Sequence, residues 1–118
     1  MPSGSFNLRG DHSIMVDVEK IIQKTVVKYI DPASSFIFLF GSRALRTNRP
    51  QSDYDVGIYT GQKISLTTIA KIKDDLEEYP IPVDIDVVDF AKVSEEFKAM
   101  ALKEVQLWNT PKTNLKLI

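Results

Sequence analysis

A chain of 118 residues, 43% apolar and 26% charged, forms one domain with enough hydrophobic mass to bury a core unaided. Fifteen basic against sixteen acidic side chains leave a formal charge of −1, which argues against a general nucleic-acid binder. The lack of cysteine and the presence of one histidine exclude thiolate metal sites, thiol nucleophiles and disulfides, and leave carboxylates, hydroxyls, lysines and arginines for chemistry.

Residues 1–12, polar and carrying the one histidine, His12, read as a flexible leader. That leader has no secretory h-region, and the apolar run Phe36 to Phe40 is far too short to span a bilayer, so a soluble cytoplasmic protein is expected. From Ser13 the residues Ile14, Val18, Ile21, Ile22, Thr25, Val26 and Tyr29 recur at helical spacing, and Asp31-Pro32 ends the helix. Phe36-Ile37-Phe38-Leu39-Phe40 is an unbroken apolar run, the pattern of a strand buried on both faces in mid-sheet. Gly41-Ser42 opens a short helical turn, and a polar loop from Thr47 to Ser52 follows.

Asp53 to Thr60 alternates, with Asp53, Asp55, Gly57 and Tyr59 on one side and Tyr54, Val56 and Ile58 on the other. Ser65 to Tyr79 reads as a helix with Ile69, Ile72, Leu76 and Tyr79 on one face, stopped by Pro80 and Pro82. Val83 to Phe90 reads as a third strand whose core face is Val83, Ile85 and Val87. Ser94-Glu95-Glu96-Phe97 opens a last helix, expected to run to about Trp108, with acids in its first turn to complement the dipole. Residues 110–118 are left as a C-terminal tail, whose Leu115, Leu117 and Ile118 suit either an interface or the core. The order helix, strand, short helix, strand, helix, strand, helix gives an α/β (α+β) domain over residues 13–109.

The chemistry concentrates at Gly41-Ser42, ten residues, then Asp53-Tyr54-Asp55. A glycine between a buried strand and a helical turn lets the backbone approach a ligand, and the outward N–H groups of the turn suit a phosphate. Asp53 and Asp55 project from one strand face, where like charges repel and a divalent cation compensates them best. Each feature alone is ordinary: a serine-capped turn, or two acids on a strand edge. Together at this spacing they are far more specific. Val83-Asp84-Ile85-Asp86-Val87-Val88-Asp89 adds acids to an otherwise apolar strand. Asp84 and Asp89 suit an exposed edge, whereas Asp86 suits a metal shared with Asp53 and Asp55.

The run from Phe40 to Ile58, with Ile85-Asp86-Val87-Val88-Asp89-Phe90, resembles the minimal nucleotidyltransferases of the DNA polymerase beta superfamily. The resemblance extends over about residues 14 to 108 and implies a nucleotidyltransferase fold, a small mixed sheet of three core strands with flanking helices. It implies Asp53, Asp55 and Asp86 as catalytic residues holding two Mg²⁺ ions, with Gly41, Ser42 and Arg43 on the nucleotide phosphates. Arg46 and Arg49 join Arg43 as candidates for phosphate or acceptor contacts, each equally suited to a solvated basic loop. Where many relatives carry glycine this chain has Arg46, which makes the loop less permissive. Minimal members lack a substrate-binding domain and are commonly encoded beside a HEPN ribonuclease toxin. The implied activity is therefore an antitoxin's: transfer of AMP from ATP to a toxin tyrosine. The alternatives are a small-molecule nucleotidyltransferase working with a partner subunit, and a non-catalytic antitoxin that acts by binding.

Overall fold

The computed structural model describes residues 17–117 and builds them around one four-stranded mixed sheet. In chain order the elements are α1 (Val18–Val26), a 3₁₀ turn (Pro32–Ser34), β1 (Phe36–Phe40), α2 (Gly41–Leu45), β2 (Tyr54–Tyr59), α3 (Leu66–Glu77), β3 (Ile85–Asp89), α4 (Glu95–Ala101) and β4 (Gln106–Asn109). The strand order is β3-β2-β1-β4, which puts the all-apolar β1 in the interior, as its composition demands. β1 pairs antiparallel with both β2 and β4, and β2 pairs parallel with β3 across the helical crossover of α3.

Alternation along the strands gives the sheet two packed faces. Ile37, Val56, Ile58 and Val87 face Ile22, Val26, Ile72 and Leu76 in one core, beneath α1 and α3. Phe38, Phe40 and Phe90 form the second, against Phe97, Ala101 and Leu102. Phe38 meets Phe90 edge-on at 4.8 Å between ring centroids, an arrangement the ring quadrupoles favour. Gly57 makes that contact possible, because a Cβ there would run into both rings. Side-chain caps fix the helix starts: Asp17 accepts from Lys20 N, Ser65 from Thr68 N and Ser94 from Phe97 N, each at 3.1 Å.

Three expectations need correction. The last helix stops at Ala101, and residues 106–109 form a fourth strand on the open edge of β1. Four residues are too few for periodicity to reveal, and the unpaired backbone of β1 supplies the partner that periodicity cannot see. The first helix ends at Val26 and the third at Glu77, which leaves Tyr29 and Tyr79 exposed beyond them. Asp31 does not end α1 but caps the 3₁₀ turn, accepting from Ala33 N at 2.9 Å. The leader, His12, Ile14 and Ile118 lie outside the described residues.

Residues 110–117 pack on the body of the domain. Lys112 N donates to Ala33 O at 2.7 Å, Leu115 lies against Gly61, and Leu117 joins the aromatic core.

Candidate active site

The sheet register brings the acids together. Asp55 pairs across β1 with Phe40, the residue before Gly41, and across β3 with Asp86. Paired residues share a face, so the Asp55 and Asp86 carboxylates lie side by side on the face of the aromatic core. Asp53 stands one residue before β2 and is exposed, as is Asp86 on the edge strand β3, while Asp55 is half-buried. Burial raises the Asp55 carboxyl above the ordinary carboxylate range, and the negative charges of Asp86 and then Asp53 push it further. Asp55 thus stands within electrostatic reach of both other acids.

Gly41 closes the site on its other side. Its φ of +75° belongs to the left-handed region, and a Cβ there would collide with the Asp55 carboxylate. The backbone turn at the end of β1 thus lies directly against the central acid. α2 begins with no side-chain cap at Phe40, so capping leaves its first N–H groups unoccupied. Ser42 is half-buried beside them.

The residues suit a cation that brings other ligands with it. Among the described residues no three acidic or histidine side chains form a ready-made metal cage. Mg²⁺ needs none, since it takes one or two carboxylates and fills its octahedron with phosphate oxygens and water. Uncompensated charge around a half-buried acid, beside a backbone cradle that only glycine can form, fits that mode of binding.

The Arg43 guanidinium reaches across to the loop that follows α2. Its Nε and Nη2 donate to Ser52 O at 3.1 and 2.9 Å, and Nη2 also donates to Pro50 O at 3.2 Å. Its guanidinium carbon lies 3.9 Å from the centroid of the Tyr54 ring. Arg46 and Arg49 are exposed on the loop. Arg46 sits at the C-cap of α2 with φ 60° and ψ 31°, a left-handed conformation that suits the glycine of many relatives. Arg46→Gly is therefore expected to stabilise the fold by up to about 1 kcal/mol, part of the relief being offset by the freer unfolded chain. A higher urea midpoint at unchanged slope checks this.

Two features escaped sequence reasoning. Asp89 does not line an exposed edge: it is buried, and its carboxylate accepts from Ile64 N at 2.6 Å and Ala91 N at 3.0 Å, with Lys92 Nζ 4.0 Å away. It ties the loop ahead of α3 to the end of β3, a satisfied role that leaves Asp86 as the acid facing the site. The second is an apolar groove of about 550 Å³ that opens beside Gly41 between α2 and α4, with Phe40, Leu45, Phe97 and Met100 on its walls. No signal marked it, because its walls come from elements fifty residues apart in the chain.

The family model described as polymerase beta, nucleotidyltransferase matches residues 19–112. Among curated proteins the chain is similar to the probable protein adenylyltransferase MntA of Haemophilus influenzae, 27% identical over 85 residues, or 72% of this chain and 74% of that protein. Among solved structures it is similar to a toxin–antitoxin with AMP-PNP, at TM-score 0.64 and 23% identity over 80% of this chain and 75% of that one. It is also similar to a tri-AMPylated Shewanella oneidensis HEPN toxin in complex with MNT antitoxin, at TM-score 0.59 and 20% identity over 79% and 71%. At these identities the structural likenesses establish the fold alone.

Proposed function

Because the chain belongs to the polymerase beta nucleotidyltransferase family, we propose that it is an antitoxin that transfers AMP from ATP to a tyrosine hydroxyl of a HEPN-type ribonuclease toxin. One observation carries the reading: Asp55 is paired across the sheet with Asp86 while the Gly41 turn presses on it from the other side. A phosphate cradle and a carboxylate cluster thereby share one wall. The likeness to MntA, named a protein adenylyltransferase, supports AMP as the transferred group. The neighbouring complex with a tri-AMPylated HEPN toxin supports a toxin acceptor. The openness of the site agrees with a protein acceptor, since Asp53 and Asp86 are exposed.

In this reading Asp53, Asp55 and Asp86 would hold Mg²⁺, which when bound supplies positive charge against the triphosphate. The chain's own groups do the rest. The Ser42 hydroxyl and the first N–H groups of α2 donate to phosphate oxygens and hold the nucleotide in line. Asp86, on the exposed edge strand, takes the proton from the acceptor hydroxyl. The hydroxyl oxygen bonds to the α-phosphorus, the bond from that phosphorus to the α–β bridging oxygen breaks, and pyrophosphate departs with its electron pair.

The test is to incubate the chain with Mg²⁺, each labelled nucleoside triphosphate in turn, and the product of the neighbouring gene, expected to be a HEPN protein. The expected outcome is a gain of one or more AMP units on a toxin tyrosine, matched by pyrophosphate. Neutralised toxin with no mass gain would replace this reading with a binding antitoxin. Label found only in a small molecule would replace it with a small-molecule transferase.

A further inference from the structure

We propose that Arg43 is a positioning residue for the carboxylates, gripping the strand behind Asp53 and Asp55 rather than binding the nucleotide in front of them. The inference rests on the reading of those two acids as the cation-holding pair.

Three observations support it. Arg43 follows Ser42 on α2, so the phosphate turn and the guanidinium belong to the same short, stiff element. Its forked hydrogen bonds to Ser52 O and its stacking on the Tyr54 ring seize the two residues that flank Asp53. The loop between them carries its own turn, with Ser52 N donating to Arg49 O at 3.0 Å and Arg49 N to Ser52 Oγ at 2.9 Å. Arg43 crosses that loop and ties its far end back to α2.

Side matters as much as contact. Tyr54 packs on the core beneath α1 and α3, whereas Asp55 and Asp86 lie on the aromatic-core face. A guanidinium stacked on Tyr54 therefore stands on the opposite side of β2 from the carboxylates, away from a triphosphate seated on the Gly41 turn. From there it sets the separation between the turn and the acids without touching a ligand. Arginine is required for this, because a lysine ammonium has neither the planar fork nor the flat face that stacks.

The test uses the whole chain and Mn²⁺ alone, read by electron paramagnetic resonance without nucleotide. Arg43→Lys and Arg43→Gln are each expected to weaken Mn²⁺ binding about tenfold or more, the loss typical when support behind a metal ligand is removed. Amide exchange at Tyr54, whose N–H donates to Asp84 O at 3.0 Å, should quicken in both. Tyr54→Leu, which keeps the apolar packing and loses the stack, should weaken Mn²⁺ binding in the same direction. Unchanged Mn²⁺ affinity in the Arg43 variants, with a raised nucleotide KM that lysine rescues, would overturn the proposal in favour of a phosphate contact. Wild-type chain that binds no Mn²⁺ and transfers no nucleotide would instead remove the functional reading on which it rests.

Discussion

Replacing Asp55 with asparagine is expected to abolish nucleotidyl transfer, by at least about a thousandfold, while making the ligand-free protein more resistant to heat. A thousandfold corresponds to about 4 kcal/mol of transition-state stabilisation, the scale of charge compensation lost when the central carboxylate goes. The gain in stability follows from the same carboxylate. Burial and the charges of Asp86 and Asp53 raise its pKa in the folded chain above that of the unfolded chain. Such a group favours the fold while it is protonated, below the ordinary carboxylate range. That contribution is lost as pH rises through the raised value. At neutral pH the wild type therefore carries an ionised acid that the fold disfavours, and asparagine does not. Thermal midpoints of the two proteins should differ at pH 7 and converge in acid. Mg²⁺ with a non-hydrolysable ATP analogue should raise the wild-type midpoint and leave that of Asp55→Asn nearly unmoved.

The second large effect belongs to Gly41. Gly41→Ala is expected to cost about 2 kcal/mol of stability, from the left-handed backbone that alanine resists and from the Cβ that strikes Asp55. The effect on catalysis is larger. To admit the methyl group either the turn or the Asp55 carboxylate must shift, and a misplacement near 1 Å costs about a hundredfold in rate. Single-turnover rates at saturating nucleotide, measured well below the variant's melting temperature, separate this loss from unfolding. A variant that melts early yet turns over normally would mean that the turn and the acid are not mechanically coupled.

What could be read in advance and what could not divide along physical lines. β1 was legible because five consecutive apolar residues fit little but an interior strand, and Asp55 on β2 because alternation puts it on the face opposite Val56 and Ile58. α3 was legible through Ile69, Ile72 and Leu76, whose spacing matches a helical turn. β4 was not, since a strand of four residues exists only because β1 offers an unpaired edge. Asp89 and Asp86 illustrate the same limit within one strand. Both are aspartates in an apolar run, yet one is buried and satisfied by the backbone of the α3 loop, and the other is exposed beside Asp55.

Arg43 makes the point for the site itself. Its position next to Ser42 suggests a ligand contact, but its donors go to Ser52 and Pro50 on the far end of the loop. The sequence by itself determined the candidates for the chemistry, the glycine–serine turn and the acids at 53, 55 and 86, and the buried strand that leads into that turn, since composition and periodicity are local properties. Only the tertiary structure decided which acid faces which, that a fourth strand covers the edge of β1, and that Arg43 donates to the carbonyls of Ser52 and Pro50. Register, edge pairing and the destination of a hydrogen bond depend on residues distant in the chain, and no local pattern encodes them.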